Sequence, residues 1–450
     1  MEPVDTLVYA RWVLPVEPDD AVLENHAVAI RSGRIVAVLP AVQARARFRA
    51  DSTVERPAHA LMPGLVDAYT HAAAALLRGL AESLSPQPSL RAALSAVERR
   101  WVDPEFVRDG TELAIAAMLR AGTTCFADNH AWPDVVARTA AEAHMRASIG
   151  LVVVEGATRW AAGADDCMEK SMSLRDAYRG DPLICTHFAS PAPSAVEDAT
   201  LLRVRRLADE LEIPVAMPLH ASRDEVEQNV TKHGQRPLAR LAQLGLASPL
   251  LVAVHATQVD PSDREALAAA GATVVHCPMS DLRRGQGLCP VPELRASGVS
   301  VALGADGAAS ASAVDMFSAM RCAGLLTAAA QASPGGPGAR DLLRMATLEG
   351  ARALGLGDSI GGLVPGKWAD LCCVDLRAPR SWPVHDVPAA LVHAAASSQV
   401  TDTWVAGRHM LADGALRYVE ESSVLDRAEA WRARIAAGHE TGSETHALPR

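Results

Sequence analysis

The chain is 450 residues long, 49% hydrophobic but only 4% aromatic, with a formal charge of −10 and a pI near 5.8. That length accommodates one large domain and a smaller one, and the acidic balance gives no electrostatic basis for binding nucleic acid. No apolar run reaches the ~18 residues of a membrane helix, and acids stand near the start where a secretory leader would carry basic residues, so a cytoplasmic protein without membrane contact is expected.

In chain order, the first predicted elements form a hairpin: residues 27–31 (AVAIR), a Ser32-Gly33 turn, and residues 34–39 (RIVAVL). From residue 61 short apolar strands alternate with amphipathic helical stretches. The strands are residues 65–71, 123–128, 148–154, 183–189, 213–220, 250–256, 272–278 and 299–306. Helical spacing near 3.6 marks residues 104–122, 201–212 and 261–271, and a Gly closes the first and last of these. Eight strand-then-helix units predict an α/β fold of the (β/α)8 TIM-barrel type. Beyond residue 355 β character returns in ADLCCVDL and VTDTWVAGRHML. Residues 1–60 and 356–450 are therefore expected to form a small composite β-sandwich, and 61–355 the barrel. The eight cysteines form no CxxC, and pairs such as Cys372-Cys373 read as reduced core packing.

Barrels of this type place their chemistry at the C-terminal ends of the strands. Those ends carry Tyr69 and His71 on strand 1, Asp128 and His130 at strand 2, and His187 on strand 4. They also carry Pro218 and His220 on strand 5, His255 on strand 6, His276 on strand 7 and Asp306 on strand 8. Any one of these histidines is readily explained as a hydrogen-bonded core or surface residue. Gathered at one end of an apolar core, the set predicts a site.

Several longer stretches resemble a known family. They include MPGLVDAYTHAAAALLRGLA, RPLARLAQLG, VHCPMSDL, GLCPVPELRASGVSVALGADGAAS, DMFSAMRCAGLL and LVPGKWADLCCVDL. In these the chain resembles the amidohydrolase superfamily, and within it the bacterial deaminases of S-adenosylhomocysteine and 5′-methylthioadenosine. The resemblance implies the barrel, the composite sandwich and a homodimer or higher homo-oligomer. It also implies hydrolysis of non-peptide C–N bonds at one divalent metal, commonly zinc. The metal would be held by a His-x-His on strand 1, a His on strand 5 and an Asp on strand 8. A Glu three residues after the strand-5 His would shuttle protons, and the strand-6 His would assist at the substrate.

Matched position by position, that pattern is broken. Tyr69 replaces the first strand-1 His, Pro218 the strand-5 His and Ala221 the shuttling Glu, while His71, His255 and Asp306 remain. Substrate positions differ too, in Ser190–Ser194, in Cys277-Pro278-Met279-Ser280-Asp281 and in Ser310–Ala313, and the lid Trp aligns with Ser89. His220 shares strand parity with Pro218, and residues i and i+2 of a strand face one way, about 6.5 Å apart. Tyr69 has two readings, a ligand to an ion or a phenol filling the vacated ion space and bonding His71 or Asp306. A phenol pKa of about 10 favours the second.

The expectation is accordingly a diverged amidohydrolase that has lost ordinary zinc-dependent deamination. It would bind or act on a small heterocyclic or nucleoside-like ligand at the barrel mouth, by acid–base chemistry without a metal. The expected catalytic residues are His255, Asp306, His71 and His220, and the expected pocket residues Tyr69, His130, His187, Pro218, His276 and Asp281. No cofactor is expected; zinc or another divalent ion would enter only through a rearranged site using the residual ligands His71 and Asp306. The alternatives are an active C–N hydrolase with such a rearranged site, and a non-catalytic binding or partner subunit.

Overall fold

In the computed structural model, residues 1–18, 21–80, 90–311, 314–330 and 336–443 are described. Ser89 and residues 312–313 lie outside them. Among the described residues no helix is long and apolar enough to cross a membrane. The chain begins with four strands, β1 (Glu2–Val13), β2 (Leu23–Arg31), β3 (Arg34–Pro40) and β4 (Phe48–Pro63). It then runs through β5 (Leu65–Thr70), β6 (Thr123–Asp128), β7 (Arg146–Val152), β8 (Ile184–Ala189), β9 (Val215–Leu219), β10 (Leu251–His255), β11 (Thr273–His276) and β12 (Ser300–Leu303). Four more follow: β13 (Leu371–Asp375), β14 (Val400–Val405), β15 (Arg408–Ala412) and β16 (Ala415–Leu416).

These make two sheets. The terminal strands pair in the order β16-β15-β14-β13-β4-β1-β2-β3, the small composite sheet domain, and β5 to β12 pair consecutively. The registered pairs within β5 to β12 are parallel. Every residue of β5 and β6 is buried, as parallel strands covered on both faces require. The last strand returns to the first: the Asp306 N–H donates to Tyr69 O at 2.9 Å, and the His71 N–H donates to Asp306 O at 3.1 Å. The eight strands thus form the (β/α)8 barrel.

Local signals set the connecting helices. Asp103 caps helix Pro104–Arg120 by accepting from the Phe106 N–H, with Pro104 in the first turn. Ser222 caps helix Arg223–His233, which ends at Gly234 in the left-handed conformation. Residues 356–450, expected to belong to the β-sandwich, also hold a helix. Residues Glu421–Ser443 form a helix that docks on the barrel, where Trp431 Nε1 donates to the buried Asp109 carboxylate at 2.9 Å.

The two sheets meet at Gly64, whose missing side chain is required: a Cβ there would lie 2.1 Å from Thr124 Oγ1. Beside it Arg146 of β7 donates to both carboxylate oxygens of Asp370, at 2.8 and 3.0 Å, with both side chains almost fully buried. Asp370 also accepts from the Ala406 N–H, so one carboxylate joins barrel and sandwich. Removing it strands a buried guanidinium. Asp370→Ala is therefore expected to cost about 3–5 kcal/mol in equilibrium urea unfolding; a loss below about 1 kcal/mol would place the pair with ordinary surface ion pairs.

Candidate active site

The strand ends surround a cavity of about 910 Å3, in the range of about 300–1,000 Å3 found for small-molecule sites. Tyr69, His71, His130, Pro218, His255 and Asp306 all line it. At three of the strand ends the backbone turns sharply. His220, His255 and Asp306 adopt φ of 51°, 74° and 62°, a left-handed conformation that is unfavourable for residues with a side chain. Such strain clusters where surrounding structure holds it for a purpose.

Asp306 is the charge centre. Its carboxylate accepts from the Ser280 hydroxyl and from Arg284 Nη1 (3.2 Å), and its other oxygen lies 3.6 Å from His71 Nε2. Burial opposes its ionisation, but His255, His71 and Arg284 outweigh burial and hold its pKa below the usual carboxylate value. His255 is organised from the far side, its Nδ1 lying 2.7 Å from Asp281 Oδ1. Burial disfavours the imidazolium, yet the Asp281 charge and hydrogen bond, with Asp306, raise its pKa above that of a free histidine. Asp281 shows the reciprocal effect: against the cost of burial, His255 brings it down to about 2. The cavity wall therefore presents an imidazole whose protonated form is favoured by a buried carboxylate.

Tyr69 packs edge-on between His71 and His255, with ring centroids at 5.4 and 6.0 Å. Burial among apolar neighbours and the Asp306 charge push its phenol well above its ordinary pKa, so it stays protonated. His130 lines the wall 6.1 Å from the His71 ring, and burial lowers its pKa. His187 stands one layer back. Its Nδ1 meets Ser148 Oγ at 2.9 Å, its Nε2 meets Asn129 Oδ1 at 3.0 Å, and burial lowers its pKa to about 4. His276 stands behind Asp281 at 3.6 Å, too far for a hydrogen bond.

His220 does not line the cavity. Its Nε2 accepts from the Leu238 N–H at 3.2 Å and its Nδ1 lies 3.1 Å from Arg236, which is itself paired with Asp263. Parity had placed it beside Pro218, but its positive φ takes the backbone off the strand and turns the ring outward. Arg284 and Glu225 are among the cavity residues that escaped the sequence reading. Arg284 sits in a polar stretch, DLRRGQG, that reads as solvated surface, and Glu225 on a helix face that reads the same way.

The Amidohydrolase family profile matches residues 60–410. The chain belongs to the amidohydrolase family. Within it, a 5-methylthioadenosine/S-adenosylhomocysteine deaminase of Teredinibacter turnerae is 38% identical, covering 96% of this chain and 98% of that one. A protein of the same name from Saccharophagus degradans is 37% identical over 98% and 99%. Among solved structures, an adenosine deaminase from Xanthomonas campestris with bound zinc is 45% identical, with a TM-score of 0.94, over 97% of this chain and 99% of that chain.

These relatives correct two expectations. Neither the loss of zinc-dependent deamination nor the absence of a metal stands for an amidohydrolase whose full-length relatives are named deaminases and whose 45%-identical neighbour holds zinc. Replacement of individual ligands does not by itself mean loss of the activity, and the charged cavity remains around the replaced positions. The family's four-ligand arrangement is nonetheless not reproduced. Among the described residues no three His, Cys, Asp or Glu side chains gather as ligands, and Arg284 and Ser280 occupy one Asp306 oxygen. A catalytic zinc normally takes three protein ligands, and the residues as placed here do not fit such a centre.

The buried dyad is open to direct measurement. In Asp281→Asn the charge that supports protonated His255 is gone while burial remains. The His255 pKa, followed by NMR titration of the imidazole, should move from above about 6.5 to below it. An unchanged titration would show that Asp281 does not govern this imidazole.

Proposed function

We propose that this amidohydrolase is an active C–N hydrolase that deaminates an adenine-type nucleoside or a thioether derivative of one, at a centre rearranged from the family's. The observation that carries the reading is the convergence of Asp306, His71 and the His255–Asp281 pair on one cavity of nucleoside size. The names of the 38%- and 45%-identical relatives support the choice of substrate class. In the reaction, water adds at the ring carbon bearing the amine, the C–N bond breaks, and ammonia and the lactam leave.

The chain's own groups fit that demand. Imidazolium His255, fixed through Nδ1 to Asp281, donates to a ring nitrogen of the heterocycle and draws electron density from the carbon under attack. Anionic Asp306, set beside His71, accepts a hydrogen bond from the attacking water and orients it. Tyr69 supplies an apolar edge against which the ring packs. A homo-oligomer in the cytoplasm belongs to the same proposal and rests on the family resemblance.

The test is spectrophotometric deamination of adenosine, 5′-methylthioadenosine and S-adenosylhomocysteine by the purified chain, with metal content measured on the same sample. Turnover of at least one is expected, and Asp306→Asn should lower kcat by roughly 10²–10⁴. Wild-type protein that binds these nucleosides without releasing ammonia, whether or not it carries zinc, would refute the proposal.

A further inference from the structure

The strand-5 position at which the relatives' shuttling Glu is expected is Ala221, so a deaminase built on this chain needs another group to carry the proton. One carboxyl lining the cavity meets that need. Glu225 lies one helical turn further on, in the first turn of helix Arg223–His233, and folds back so that its Oε2 accepts from the Ala221 N–H at 2.7 Å. It is 8% exposed and lines the same cavity as Ala221, His71, His255 and Asp306. Its other oxygen, Oε1, is buried with no hydrogen-bond partner.

A capping role alone does not account for this arrangement. Ser222 Oγ already caps the helix by accepting from the Glu225 N–H at 3.2 Å. A side chain serving only the Ala221 N–H uses one oxygen and ordinarily leaves the other in solvent. Burying a carboxylate oxygen without a donor is costly. The cost falls away if the carboxyl takes up a proton, or if a donor such as a substrate water enters the cavity that the residue lines. Burial accordingly pushes Glu225 up to about 7, against the Ala221 N–H and the nearby His255 and Arg236, which pull it down. A carboxyl that gains and loses a proton near neutral pH is suited to relay one.

Resting on the deaminase reading, we propose that Glu225 is the proton carrier of this site, one helical turn beyond Ala221, which stands at the family's position. As the water oxygen bonds to the ring carbon, the Glu225 carboxylate accepts one of its protons. It delivers that proton to the amine nitrogen as the C–N bond breaks, so ammonia leaves and the carboxylate is restored. The second water proton ends on the adjacent ring nitrogen, giving the lactam. Atoms and charge balance with no further reactant.

Glu225→Gln separates this role from capping, because the amide oxygen still accepts from the Ala221 N–H while the proton-carrying function is lost. With 5′-methylthioadenosine as probe, E225Q is expected to lower kcat by roughly 10²–10⁴ with little change in KM. The limb of the kcat/KM profile near pH 7 should vanish with it. E225Q retaining kcat within about tenfold of wild type, with that limb intact, would overturn the inference. Should E225Q not fold, Glu225→Asp, which withdraws the carboxyl by one methylene, is expected to show the same loss, and near-wild-type turnover would count equally against it. If wild-type protein itself deaminates nothing, the deaminase reading falls, and infrared difference titration of wild type against E225Q still judges Glu225. A carboxyl titrating near 7 supports a proton carrier, and one at an ordinary value of about 4.3 rejects it.

Discussion

Asp306 closes the barrel and charges it at once. Its backbone N–H and carbonyl bond to Tyr69 and His71, so the last strand is tied to the first at the residue where the cavity begins. The closure holds a non-glycine residue at φ 62° and aims its carboxylate at Ser280, Arg284 and His71. A buried carboxylate is tolerable only where donors and cations surround it. The short helix Pro278–Arg283 after β11 supplies Ser280 and is followed directly by Arg284, and Asp281 from the same helix orders His255. Geometry and electrostatics at the mouth therefore share one origin.

Around that centre the residues differ from those that the family resemblance implies. Where the relatives are expected to have an ion-binding His, the chain places the aromatic edge of Tyr69 and the ring of Pro218. Arg284 brings positive charge to the cavity, and the Asp281 carboxylate favours the protonated form of His255. The carboxyl missing at Ala221 has a neighbour in Glu225 that reaches back to the same backbone position. The cavity sets the carboxylate of Asp306 against Arg284 and His255, in a chain close in overall structure to a zinc-bound adenosine deaminase.

Much of this was legible beforehand, for reasons of periodicity. Apolar strands alternating with amphipathic helices dictate a parallel sheet covered on both faces, and eight such units in a row point to its closure as a barrel. Strand ends then name Tyr69, His71, Pro218, His255 and Asp306, all of which line the cavity. The inference faltered where the backbone leaves the strand. His220 shares parity with Pro218, but at φ 51° its ring turns to Leu238 N and Arg236 behind the wall. The polar partners were hidden for a different reason. Arg284 and Glu225 lie on helix and loop stretches whose composition is that of solvent-facing surface, and spacing alone does not show that either folds inward.

From composition and pattern follow the barrel, the composite sandwich, the family and the residues at the strand ends, since these rest on local periodicity and on motifs contiguous in the chain. Which of those residues face the substrate, and in which protonation state, depended on contacts between segments far apart in sequence. The pairing of His255 with Asp281, of Asp306 with His71 and of Arg146 with Asp370 bridges such distances. The shifts of His255, Asp306 and Glu225 arise from burial and neighbouring charge, and neither exists before the chain has folded.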